Sequence, residues 1–349
     1  MSDPDFNQIR RKLLRWYDRN RRELPWRKRR RPYAIWVAET MLQQTQVQTV
    51  LPYYRRFLKS FPSLRALDRA PLENVLSHWS GLGYYRRAEN LKKAARIVMR
   101  RHNGRIPADY TQLLALPGIG SYTAGALMSI AFNKPYAALD GNARRVISRL
   151  LGLSEKRIEQ PAAALVAPER PGDFNQAIMD LGATVCSPRA PSCEACPLSL
   201  LCVAHLQWSR RKFKPGSVKR SIKTEWPLVL IVNKGRLLLR RRPAGGLLGG
   251  LWEVPGGEKK AEESLGEALD RHLGKLRQYA RSIVPVGEIR HSITYRRIVA
   301  PVFRAAIDRA LPLTGSRCRW VSISMLGCHP LSSLSLKAAR FLFHEKVSS

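Results

Sequence analysis

Four of the six cysteines fall together as Cys186-x6-Cys193-x2-Cys196-x5-Cys202, and this spacing constrains the fold more than any other feature of the chain. The N-terminal residues MSDPDFNQIRRKLLRWYD carry no signal-peptide apolar core, and their early acids argue against a transit peptide. The chain therefore reads as cytoplasmic, where a disulfide framework is out of place. Zinc favours two close pairs of ligands, and here Cys193 and Cys196 form only one. Four thiolates in a short, loop-rich segment suit a 4Fe–4S cluster better, although the spacing is not that of a ferredoxin. Cys318 and Cys328 lie far downstream and read as plain thiols.

What surrounds the cysteines differs on the two sides. Upstream, Phe6, Ile9, Leu13, Leu14 and Tyr17 recur at helical spacing, and Pro25 is expected to end that helix. Further helices are expected near 33–42, 51–60, 72–79, 85–102, 109–115, 121–132, 142–151 and 173–184, separated by glycine and proline punctuation. Nothing before residue 200 alternates like a strand, so this region reads as all-α. Residues 209–223 contain seven Lys or Arg and no acid, a linker composition. Beyond them PLVLIV, RLLLRR, RSIVPVGEI and RRIVAPVFRA are strand-like, and 262–273 and 336–344 helix-like, giving a separate α/β domain. A length of 349 residues accommodates two such domains.

The chain carries 61 Lys and Arg against 26 Asp and Glu, a net charge of +35. From Trp226 onward there are 21 basic and 9 acidic residues, which leaves +23 of that excess to the residues before it. Both halves are basic, so the excess is no single tail, and a soluble protein of an arginine-rich proteome is the plainer account. An excess this large favours a polyanionic partner, since Lys and Arg that displace counterions supply most sequence-independent affinity for nucleic acid. Apolar runs such as 228–232 fall far short of the roughly 20 residues of a membrane span.

Three short segments carry chemistry. Leu116-Pro117-Gly118-Ile119-Gly120 sits between two helical patterns, where Gly118 and Gly120 let the backbone approach a phosphate and the next helix offers its amides. For a lone PGxG a plain tight turn is the commoner explanation. Asp140 precedes a helix and would ordinarily be its N-cap. Glu39 has Ile35, Trp36 and Leu42 as helical neighbours. Such an apolar stripe desolvates the carboxyl and keeps a proton on it near neutral pH. A buried Glu paired with an arginine is the competing account.

Taken together, ETMLQQTQV, GLGYY, LPGIGSYTAGA, LDGN and the four cysteines resemble the endonuclease III branch of the helix-hairpin-helix DNA glycosylases, and within it the MutY-type adenine glycosylases. The resemblance runs through nearly all of residues 25–202. It implies an all-α glycosylase region over 1–208, with a six-helix-barrel module at about 26–137 and the N-terminal helix joining 138–208 as the Fe–S module. By the same resemblance, Cys186, Cys193, Cys196 and Cys202 hold a 4Fe–4S cluster that presents a basic loop, with Arg189, to phosphate. Glu39 is the general acid, Asp140 stabilises the oxocarbenium-like state or links to it transiently, and Asn142 orients the reacting groups. Gln43 and Gln44 enter the duplex and Tyr84 intercalates opposite the extruded base, although Tyr84 or Tyr85 could instead be a core aromatic. Bifunctional relatives have a lysine nucleophile where this chain has Tyr122, so Tyr122 marks a monofunctional catalytic site without efficient strand nicking.

After a basic linker at 209–225, residues 226–349 resemble the Nudix-like domain attached to these enzymes, which reads 8-oxoguanine. The metal-binding glutamates of the related hydrolases are missing at Arg271–Leu276, which argues against nucleotide hydrolysis. The loop that usually reads Phe-Ser-His is Ile293-Thr294-Tyr295 here, leaving Thr294 to hydrogen-bond the base edge. The implied partner is duplex DNA carrying A:8-oxoguanine or A:G, bound by a monomer without a membrane. The alternatives are a mismatch or oxidised-pyrimidine glycosylase on the same scaffold, and a non-enzymatic DNA-binding Fe–S protein.

Overall fold

The structure is a computed structural model that describes residues 5–28, 30–208, 221–243, 249–293, 295–307 and 317–343. The chain forms two compact units. The first comprises residues 1–69 and 90–217; the second comprises 70–89 and 218–349. Chain order and compact unit thus part company at 70–89. Among the described residues no helix is long and apolar enough to cross a membrane.

In the first unit, helix Phe6–Asn20 is capped by the Asp5 side chain, which accepts from the Gln8 amide. The helix ends at Asn20, before Pro25. That proline instead opens the short helix Pro25–Lys28, since a first-turn position needs no amide donor. Ile9, Leu13 and Tyr17 pack with Val146, Ile147 and Leu150 of helix Gly141–Leu151, and with Phe174, Ile178 and Leu181 of helix Pro171–Thr184. Cys186, Cys196 and Cys202 close the edge of this core. Within the unit Asp180 is fully buried and receives Arg22 and Arg27. Burial alone would push its carboxyl up, but the two guanidiniums hold it below the ordinary range.

Helix Ser121–Ala126 runs directly into a π-turn over Leu127–Ala131, where the expected helix 121–132 widens. Gly125 permits this packing, because a Cβ there would lie 2.1 Å from the Ala137 carbonyl oxygen.

The second unit contains a mixed sheet of seven strands among the described residues: β1 (Ile222–Glu225), β2 (Leu228–Asn233), β3 (Arg236–Arg241), β4 (Trp252–Glu253), β5 (Ala280–Ile293), β6 (Arg296–Ile307) and β7 (Cys318–Ser322). β6 pairs parallel to β1 and β2 and antiparallel to β5, while β3 runs antiparallel to β2, β4 and β7. Alternation along β2 divides the core. Leu228 and Leu230 face a cluster with Leu334 and Ala338 of helix Ser333–Ala339; Val229 and Ile231 face one with Leu269 and Leu273 of helix Leu265–Leu273. Each face of the sheet is therefore covered by one helix.

β1 lies inside the stretch read as linker, since its polar residues IKTE gain strand structure from pairing with β6. The rest of that linker, 209–220, falls outside the described residues. The C-terminal helix starts earlier than expected, at Ser333, because Ser332 caps it. β7 carried no sequence signal and exists through its pairing with β3.

Candidate active site and cysteine cluster

Helix Pro32–Leu42 is buried from Ile35 to Met41, and Glu39 is carried in with its apolar neighbours, 3% exposed. Its carboxylate oxygen Oε2 accepts a hydrogen bond from the hydroxyl of Tyr122, on helix Ser121–Ala126. Burial pushes the Glu39 carboxyl up to about 7, against the opposing pull of the Tyr122 hydrogen bond; nearby Asp140 adds to the rise. Tyr122 itself stays a neutral phenol, its ionisation suppressed first by burial and then by the charge of Glu39.

Asp140 is the N-cap of helix Gly141–Leu151, and its Oδ1 accepts from the Ala143 amide at 2.6 Å. Its capping role is thus real. The second oxygen lies 3.5 Å from Asn142 Nδ2. Burial raises Asp140 above the ordinary carboxylate range, while the Ala143 and Asn142 amides restrain the rise. Asn142 in turn accepts from Arg145 at 2.8 Å, and Arg145 also donates to the carbonyls of Gly182 and Cys186. Glu39, Tyr122, Asp140 and Asn142 all line one cleft of about 1320 Å³, together with Gln43, Gln44 and both hairpin glycines. Two isolated sequence positions a hundred residues apart are thereby made one site.

Gln43 donates to Thr123 Oγ1 at 3.2 Å, whereas Gln44 is exposed and held at φ 55°. In the hairpin Gly118 has φ +80°, and a Cβ there would meet Asn90 Cβ at 2.7 Å. Gly120 is the N-cap of helix Ser121–Ala126 without any side-chain cap, and a Cβ there would enter open space. The first glycine serves the protein's own packing; the second keeps the surface clear at a helix start that no side chain caps.

Tyr84 and Tyr85 divide as alternatives do: Tyr84 is 44% exposed, while Tyr85 is buried and, within the second unit, donates to the Leu331 carbonyl at 2.8 Å. Thr294 lies outside the described residues. Near the Nudix-like segment Arg271 clasps Glu263 with Nε and Nη2 at 2.5 and 2.7 Å, and the half-buried His272 meets the Glu258 carbonyl.

The four cysteines line a single cavity walled by Val146, Leu150, Leu181, Val185 and Leu198. Burial pushes the Cys196 thiol up to about 11, and the other three thiols add to the rise. Arg149 donates to Cys186 Sγ at 3.3 Å and to the carbonyls of Ser187 and Pro188, holding the loop on which Arg189 is exposed. Among the described residues no three His, Cys, Asp or Glu side chains converge on a point suited to one metal ion. Four soft donors around a cavity with apolar walls, and a cation beside one sulfur, fit an anionic thiolate-bound cluster.

Arg27 and Gln176 also line the cleft, and neither was singled out from sequence. Arg27 begins a run of basic residues, and it is bound to Asp180 and lies over the Tyr17 ring. Gln176 sits on a helix buried on nearly every side, where no periodicity marks a polar residue as special.

Residues 37–168 match the HhH-GPD superfamily base excision DNA repair protein family, and 228–340 match the NUDIX domain. A solved thermostable thymine-DNA glycosylase is 33% identical with a TM-score of 0.55, covering 58% of this chain and 97% of its own. A non-covalent endonuclease III–DNA complex is 25% identical with a TM-score of 0.51, covering 59% and 99%. The adenine DNA glycosylase of Rattus norvegicus is 35% identical over 388 aligned positions, which take in 91% of this chain and 74% of the relative. A match that spans the helical region, the cysteines and the α/β region alike shows that this chain belongs to the adenine DNA glycosylase family.

Proposed function

We propose that the chain removes adenine mispaired with 8-oxoguanine, and more slowly adenine opposite guanine, from duplex DNA without nicking the strand. The observation that carries this reading is Glu39: a buried carboxyl, raised to about 7 and hydrogen-bonded to Tyr122, in one cleft with Asp140. The protonated Glu39 gives its proton to the purine ring as the C1′–N bond breaks and its electron pair leaves with adenine. The Asp140 carboxylate stabilises the positive charge at C1′, and Asn142, hydrogen-bonded to it, holds its orientation. Water then adds to C1′ and loses its proton to a carboxylate, leaving an abasic sugar.

The base must first leave the stack. Gln43 and Gln44 at the cleft and the exposed Tyr84 are the groups assigned to the duplex interior. Gly118 sets the hairpin turn by packing on Asn90, and Gly120 and Arg189 take phosphates. Cys186, Cys193, Cys196 and Cys202 would hold a 4Fe–4S cluster, whose chemistry here is to fix a basic loop rather than to enter the reaction. In the second unit Thr294 would read the lesion, where one good polar contact discriminates by roughly 1–3 kcal/mol. With the aromatic and imidazole of the usual loop replaced, the 8-oxoguanine preference should be weaker than in relatives with Phe-Ser-His.

The likeness to a thymine-DNA glycosylase makes thymine mismatches the reading to test against. Single-turnover base release is to be measured on A:8-oxoguanine, A:G and thymine-mismatch duplexes. Release of thymine at a rate matching adenine would overturn the proposal, and Thr294→Ala should narrow the ratio between the two adenine substrates.

A further inference from the structure

The loop that carries Tyr84 is built around a buried cation. Gly81, Gly83 and Tyr84 all have positive φ, at 96°, 76° and 50°. For the glycines this is ordinary; for a tyrosine it is a conformation that the surroundings must hold in place. Arg87 lies one helical turn further on, 8% exposed. Its Nη2 donates to the carbonyls of Gly83 at 3.1 Å and Leu82 at 3.4 Å, and its Nε points to the Tyr84 carbonyl at 3.4 Å. The guanidinium lies 5.3 Å from the Tyr84 ring centre and 5.5 Å from that of Trp79. The Trp79 indole closes the arrangement by donating to the Gly83 carbonyl at 3.1 Å.

From this geometry we infer that Arg87 is a positioning residue, which sets the backbone and ring of Tyr84 as a ready-made wedge for base extrusion before DNA arrives. The inference rests on the reading of Tyr84 as the intercalating residue. A planar fork can satisfy successive carbonyls while its faces stack on two rings, which an ammonium cannot do. Burial draws Arg87 down to about 10, with Tyr84 opposing, so the side chain remains a cation at neutral pH. A wedge already in place avoids ordering a loop during extrusion, so the benefit should appear in the base-release step rather than in duplex affinity, which phosphate contacts supply.

The test compares wild type, Tyr84→Ala, Arg87→Lys and the double variant on an A:8-oxoguanine duplex. It follows single-turnover base release, duplex Kd, and the fluorescence rise of 2-aminopurine placed at the target adenine. Arg87→Lys should slow release and the fluorescence rise by about tenfold, with Kd changed by less than about threefold, and the double variant should be no slower than Tyr84→Ala. Trp79→Phe, which keeps a ring but loses the Gly83 donor, is the second variant should Arg87→Lys fail to fold; its smaller loss should likewise vanish in the Tyr84→Ala background. Losses that multiply, or an Arg87→Lys enzyme at wild-type rate, would overturn the inference while leaving Tyr84 in place. A wild-type rate in Tyr84→Ala would overturn the reading of Tyr84 itself, and the inference with it.

Discussion

The Tyr122 hydroxyl donates its hydrogen bond to Oε2 of Glu39, joining the helix after the hairpin to the buried helix Pro32–Leu42. Two opposed effects meet at that carboxyl. Burial disfavours its charge, the phenol favours it, and burial prevails to leave a proton available at about pH 7.

The first prediction concerns pH. A general acid must be protonated, so base release should be fast below about pH 7 and fall as pH rises through it. Tyr122→Phe removes the hydrogen bond that lowers the Glu39 value, so the falling limb should move to higher pH. Stability has the same sign. With the folded value raised from 4.5 to about 7, the contribution is fully present below about 4.5 and lost as pH rises through 7. That gap corresponds to roughly 3 kcal/mol, so Glu39→Gln should abolish most base release yet melt higher than wild type at pH 8. An unchanged pH profile in Tyr122→Phe would show that the phenol does not set the acid.

Asp140→Asn separates capping from catalysis. Asparagine caps as well as aspartate, so the cost to stability should stay below about 1 kcal/mol. The loss of negative charge beside C1′ should reduce single-turnover release by about a hundredfold or more, with duplex affinity retained. Near-normal release would leave Asp140 as a helix cap and nothing more.

Tyr122 also bears on strand cleavage. A neutral phenol cannot form a Schiff base, so the wild type should leave the abasic strand intact until alkali is added, and borohydride should trap little adduct. Tyr122→Lys should gain trapping, because its amine would stand in the cleft with Glu39 and Asp140. Efficient nicking by purified wild type would contradict this.

Replacing Cys196 by serine should abolish visible cluster absorbance and lower Tm, since Cys186, Cys196 and Cys202 pack on the core formed with helix Phe6–Asn20. Activity should fall as well, because Arg145 is held by the Cys186 and Gly182 carbonyls and itself holds Asn142. Normal base release without cluster absorbance would show that the thiols alone keep the loop in place.

The linear pattern was sufficient for features whose cause is local. The helical period of Ile9, Leu13 and Tyr17, the alternation of 228–231, the glycines of the hairpin and the cysteine spacing each follow from neighbours in the chain. Glu39 was legible because its desolvating neighbours share its own helix. Where the cause lies far away in sequence, the pattern was silent or misleading. IKTE became β1 only because β6 supplies a partner. Nothing near Arg27 in the chain foretells its partner, Asp180, which lies 153 residues away. Asp140 is a cap by sequence, and the same cap by structure. What tertiary structure alone decided is that this cap shares a cleft with Glu39 and Tyr122, since the energetics of a charge depend on what surrounds it in space, not on what precedes it in the chain.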